Sequence, residues 1–274
     1  MVVFLDGSIP SLDSSADALW LAVLSGGLAM LGQVVLTLLF RESKYKAVAD
    51  TAALAAHQVV ALVFMVLATA VGGMAWWGGA VVDPGDAAGR LLKPCGVARW
   101  LAAVLAGELV VWDIPVGLAI PQLRKPDSLL HHVGMAAVAY CTVLFPTYYA
   151  VYYLGAIELS SIPLQLNDYC RLHRAAVEGP TRIPVLAALN GPNQLVTALA
   201  FLLVRLVSFS YVTIFLCMPD TAAVLRSDQA QQAGAVLPLK ILFFLLTGFE
   251  ALQLYWGWLH GRAFLRGQMK KKGN

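Results

Sequence analysis

Seven times along this chain a stretch of about 20 mostly apolar residues recurs, the length a helix needs to cross the hydrocarbon core of a bilayer at about 1.5 Å per residue. The stretches cover approximately residues 16–40, 47–73, 98–120, 127–145, 150–167, 194–216 and 236–264. Inside a bilayer every backbone N–H and C=O must be satisfied within the protein, so runs of this kind cross as helices. By length alone the 274 residues would accommodate two soluble domains. Composition overrides that prior: only 13% of residues are charged, against roughly 25% in soluble proteins, and the mean hydropathy is +0.72. The expected fold is therefore an all-α integral membrane bundle of seven transmembrane helices. Ser14, with Asp17 three residues later, reads as the cap that opens the first. Cys95, Cys141, Cys170 and Cys217 show neither metal-site nor disulfide spacing and read as small apolar residues. No metal site is expected.

The placement of charge sets the expected orientation. Arg41, Lys44, Lys46, Arg124, Lys125, Arg171, Arg174, Arg182 and the basic tail follow the odd-numbered segments. Arg90, Lys93, Arg99 and Arg226 fall on the other side. The positive-inside rule then puts the N-terminus in the lumen and the C-terminus in the cytosol, as seven spans require. Residues 1–17 carry Asp6, Asp13 and Asp17 but no Lys or Arg, so no cleavable signal peptide is expected. Lys271 and Lys272 stand fourth and third from the end, which resembles the dilysine signal that coat proteins read on proteins retrieved to the endoplasmic reticulum. The plainer alternative is an ordinary cytosolic basic cluster. The net charge of +3 is spread over these loops, and no nucleic-acid partner is expected.

Ionisable residues inside the spans mark functional sites by default. Counted from the cytosolic boundary, Arg205 comes roughly 17 Å deep and Glu158 roughly 14 Å. Glu250 and His57 fall at similar depths, Glu108 deeper and Asp113 shallower. The expectation is a polar cavity at mid-depth, with Glu158 as the partner of an Arg205 that cannot discard its charge cheaply. Pro163 is expected to bend the fifth segment, with Ser160 and Ser161 satisfying the opened backbone.

His131 and His132 are the most unusual pair in the chain. With Asp127 as the N-cap they lie only about 6 Å inside the cytosolic boundary. An imidazole there can serve as a general base or take an acyl group as a nucleophile; the plain alternative is two interfacial histidines bonding to neighbouring helices. Five histidines are too few for a di-iron desaturase. Lys240 sits near the outer end of the last span, where snorkelling explains it, rather than in a retinal-binding position.

The pair, the following Tyr140, the run from Glu158 to Pro163, Arg205, and Leu254, Tyr255 and Trp256 together resemble the TLC-domain proteins, the family of the ceramide synthases and their lipid-related relatives. The resemblance implies a leading helix with its N-terminal segment (residues 1–46), a six-helix TLC domain (47–264) and a basic cytosolic tail (265–274). Ceramide synthases follow the dyad with a His-Asp-x-x-Asp cluster; this chain has Glu158, Leu159 and Ile162 in that register, which resembles the non-synthase branch. The implied function is membrane lipid homeostasis, by binding or remodelling fatty-acyl or sphingolipid-type lipids. His131 and His132 are the candidate catalytic pair, and Asp113, Glu158, Arg205 and Trp256 the candidate cavity. Two alternatives stand beside it: an acyl-CoA-dependent N-acyltransferase, for which acyl-CoA is the candidate substrate, and a non-enzymatic cargo receptor using Lys271 and Lys272. No cofactor is implied.

Overall fold

The computed structural model describes residues 10–179 and 182–272, and every regular element among them is helical. The first half comprises α1 (Ser15–Arg41), α2 (Lys46–Ala49), α3 (Ala52–Trp76), α4 (Ala87–Leu92) and α5 (Gly96–Gly107), then a π-helical stretch over Glu108–Asp113 and α6 (Ile114–Ala119). After a 3₁₀ turn at Pro121–Leu123 come α7 (Pro126–Leu144) and α8 (Ala150–Leu154). A second 3₁₀ stretch, Ala156–Ser160, leads into α9 (Ser161–Leu172) and α10 (Arg174–Glu178). Then α11 (Pro184–Ala200) runs through two further π stretches, Phe201–Ser208 and Tyr211–Cys217, into α12 (Met218–Arg226). The last elements are α13 (Asp228–Gln232) and α14 (Val236–Lys272).

Among the described residues, five helical segments are long and apolar enough to cross a membrane: Ser15–Arg41, Ala52–Trp76, Ala87–Ala119, Pro184–Arg226 and Val236–Leu259. The fourth and fifth predicted stretches are helical without joining that set. The fourth, α7, has 19 residues, and its first turns carry Asp127, His131 and His132. The fifth is broken at Gly155, where the backbone turns to φ −138° and ψ −73°. The expected bend at Pro163 therefore lies eight residues earlier. Pro163 itself sits in the first turn of α9, where a missing N–H costs little.

Close helix approach explains the break. A β-carbon on Gly72 would run into the backbone of Gly155 and Ala156, and one on Gly155 would come within 2.6 Å of the Gly72 α-carbon. Two glycines thus let α3 touch the main chain of the fifth stretch, as small residues do between membrane helices. The same device docks α1: a β-carbon on Gly107 would collide with the carbonyl of Ala22, and Ser25 Oγ donates to Ala22 O (3.1 Å) and Val104 O (3.2 Å).

Packing follows a ring. α3 meets α5, α5 meets α7, and α7 meets α14. The ring continues from α14 to the Phe201–Ser208 stretch and closes through Ala156–Ser160 and α9 back onto α3, with α1 docked against α3 and α5. The cap of α1 is as expected, Ser14 Oγ accepting from Ala16 N (3.1 Å) and Asp17 N (3.4 Å). Leu24, Leu28 and Leu31 of α1 and Phe244 of α14 are exposed, the surface a bilayer covers. Trp76 packs on Tyr148, Tyr149 and Tyr152, while Trp77 is exposed. Asp127 is not the cap of α7: the helix starts at Pro126 with Lys125 as the flanking residue.

Candidate functional site

Neighbouring residues on a helix point about 100° apart, and His131 and His132 diverge accordingly. His132 turns toward α5 and α6, where its Nδ1 lies against Asp113 Oδ2. His57 of α3 approaches the same carboxylate from the other side, Nε2 to Oδ1 at 2.7 Å. Asp113, 4% exposed, is thus held between two imidazoles from two different helices. With Nδ1–H of His132 given to the carboxylate, a neutral ring keeps its lone pair on Nε2. Behind this group His57 stacks on Trp112 (centroids 4.8 Å), whose Nε1 donates to Gln33 Oε1 of α1 at 3.3 Å. Gln33 in turn donates to Ala53 O (2.9 Å).

His131 turns the other way, into a cavity of about 20 Å³. Glu158, Arg205, Tyr153 and Gln253 supply the rest of its polar wall, and Phe249 is part of its apolar wall. The His131 ring stands edge-on to Phe249 (5.5 Å) and Trp256 (5.3 Å), and its Nδ1 is buried without a hydrogen-bond partner.

Arg205 enters from the π stretch Phe201–Ser208. Its Nε donates to Ser160 Oγ (2.9 Å) and its Nη2 to Ser161 Oγ (2.7 Å), while Glu158 Oε2 lies 3.6 Å from Nη2. The expected pairing with Glu158 is present, but the hydrogen bonds go to the two serines. Ser160 also donates to Ile157 O at 2.9 Å, within the 3₁₀ stretch rather than at the backbone that Pro163 was expected to open. The neighbouring Glu250 accepts from Ser210 Oγ (2.6 Å), and Glu108 is buried with Oε2 unpartnered. Glu108, Asp113 and Arg205 all stand on π-helical stretches, whose extra residue per turn re-aims side chains and which recur at functional sites.

The structure therefore divides the predicted set. His131, Glu158 and Arg205 share the cavity wall. Depth counting separated Glu158 from the dyad by roughly 8 Å; the break at Gly155 and the 3₁₀ stretch after it bring them to one cavity. Asp113 and His132 stand behind that wall, bonded to each other. Trp256 touches His131 from the side. The side chains of Lys271 and Lys272 lie outside the described residues. Two residues were not picked out for the site. His57 has a signal, an imidazole at mid-depth, although nothing local names its partner. Gln253 has one only in its helical register, one face with Leu246 and Phe249. Among the described residues no group of three or more His, Cys, Asp or Glu is placed to hold a metal ion.

Two groups outside this layer, half-buried Asp220 and buried His173, have fixed partners. Asp220 takes Arg90 Nε (2.6 Å) and the Tyr149 hydroxyl (2.5 Å), tying α4 to α12. His173, beyond the fifth apolar stretch, meets Thr51 Oγ1 at 2.8 Å; that hydroxyl donates to Ala47 O (2.6 Å), so it accepts from His173 Nδ1. Burial pushes the His173 imidazole below its ordinary pKa.

Comparison with curated proteins and with solved structures returns no match. A family model does match: residues 95–260 correspond to the TLC domain. The matched region holds Asp113, His131, His132, Glu158, Arg205 and Gln253, while His57 and Gln33 precede it. With more than half of its length covered by that model, and with a helical bundle of several apolar, membrane-length helices, the chain belongs to the TLC-domain family of membrane proteins.

Proposed function

We propose that this protein acts in membrane lipid homeostasis, binding or remodelling fatty-acyl or sphingolipid-type lipids at the cavity beside His131. The observation that carries the reading is the separation of the dyad: His131 faces the cavity while His132 is anchored to Asp113. A buried imidazole beside a guanidinium, within an otherwise apolar wall, suits the polar end of a lipid whose chains remain in the bilayer. In this reading seven helices cross the membrane, α7 and the broken fifth stretch included, with the N-terminus lumenal and the C-terminus cytosolic. Residues 1–46 form the leading segment, 47–264 the TLC domain and 265–274 the tail. The dilysine pattern supports residence in the endoplasmic reticulum.

The test is to purify the full chain and the His131→Ala/His132→Ala variant in native membrane nanodiscs and compare the co-purifying lipids by mass spectrometry. An acyl lipid enriched with the wild type and lost with the variant is the expected result; identical lipid profiles would sink the reading.

A second reading, acyl-CoA-dependent N-acyl transfer, has one specific support: Asp113 supplies the dyad with an acidic partner that the register after it does not. Here His131 would take the proton from the attacking amine as the new amide C–N bond forms and the thioester C–S bond breaks, and return it to the departing thiolate. Labelled acyl-CoA with a sphingoid base would give labelled amide under this reading alone. A cargo-receptor reading rests on Lys271 and Lys272; replacing both with Ala would then abolish retrieval while leaving lipid binding intact.

A further inference from the structure

We infer that the polar group seated in the cavity is a lipid hydroxyl and that Gln253 selects it, an inference that rests on the reading that the cavity receives a lipid. Gln253 is 2% exposed, lines the cavity, and has its Oε1 buried without a partner. His131 Nδ1, in the same wall, is likewise buried and unpartnered. A polar atom left unbonded in a dry interior is costly, so two of them on residues that line one cavity point to a ligand that bonds them. The same wall carries Arg205, which only donates, and Glu158.

The chemistry of the wall narrows the class. A hydroxyl donates one hydrogen bond and accepts two, so it can give its proton to Gln253 Oε1 and accept from His131 Nδ1–H and from the guanidinium. The Gln253 amide suits it in either orientation, having both a donor and an acceptor end. An ammonium only donates and would bring a second cation beside Arg205. A carboxylate only accepts and would bring a second anion beside Glu158. An ether has nothing to donate. Size agrees: a cavity of about 20 Å³ has room for a group the size of a water molecule, which a hydroxyl is. The alkyl chain would extend past Phe249 along α14 into the bilayer.

The experiment uses the full chain in phosphatidylcholine nanodiscs and three probes of one chain length: 1-dodecanol, dodecyl methyl ether and dodecylammonium. Each displaces tritiated dodecanol, with protein-free nanodiscs as the partition background. Dodecanol should bind about tenfold more tightly than the ether, the range of one buried hydrogen bond. Gln253→Leu should shrink that gap to about threefold or less without changing the affinity for the ether, which shows that the cavity is still formed. Equal binding of all three probes, tightest binding of dodecylammonium, or an undiminished gap in Gln253→Leu would overturn the inference while leaving a lipid site in place. Binding by none of the three would remove the lipid reading on which it rests.

Discussion

Replacing Asp113 with Ala would strip two imidazoles of their shared acceptor at once. The expected loss is about 1–3 kcal/mol of stability for each orphaned group, read as a fall in the unfolding midpoint in nanodiscs; Asp113→Asn, which keeps one carbonyl oxygen, should lose less. Arg205→Met removes a buried cation and leaves Glu158 alone, with an expected cost of about 3–5 kcal/mol. Arg205→Lys should rescue only part of it, since an ammonium cannot reproduce the fork to Ser160 and Ser161. His173 gives a pH prediction. Its folded pKa is lowered, so between that value and the ordinary pKa near 6.5 the unfolded chain holds more protons. Its stabilising contribution is therefore complete above about pH 6.5 and is lost as pH falls below it. The unfolding midpoint should drop more between pH 7.5 and 5.5 in the wild type than in His173→Gln. These residues also mark what could be read in advance. The Arg205–Glu158 pair was legible because depth along two helices is one-dimensional arithmetic. The bond between Asp113 and His132 was not, because it depends on azimuth, and the π stretch under Asp113 shifts the helical phase.

The helices are held in register by contacts whose signal is the absence of a side chain. Gly107→Val and Gly72→Val should each overpack a backbone-to-backbone contact and destabilise by about 1–3 kcal/mol or more. Gly27→Ala, with open space around its β-position, should be neutral or slightly stabilising, as the helix propensity of Ala predicts. Thermal unfolding of the three variants in one membrane mimetic checks this ordering. The apolar helices themselves were plain in the sequence, since about 20 consecutive apolar residues admit few other structures. The break in the fifth was placed at the wrong residue. Proline is the visible helix breaker, but Pro163 falls in a first turn where it does no harm. The break sits where Gly155 meets Gly72, a contact between elements far apart in the chain.

For the whole molecule, the proposed topology is tested by glycosylation acceptor sites placed before α1 and after α14. Modification of the first alone is expected; the reverse pattern would invert the orientation and with it the face on which His131 is presented. The family was legible because short motifs in order on an apolar chain survive without any knowledge of packing. The depth of the site was not, because its supports come from α1 and α3, ahead of the residues that match the TLC domain. The sharing of Asp113 has a consequence for biogenesis. His57 and Asp113 emerge from the ribosome before α7 does, so a partly inserted chain carries a carboxylate with one of its two partners. The site is completed only when α7 enters beside α5, and the chain passes through synthesis with its most costly polar group half satisfied. Any delay in inserting that fourth segment, the least apolar of the early ones because it carries the dyad, prolongs the interval in which the nascent protein is open to quality control.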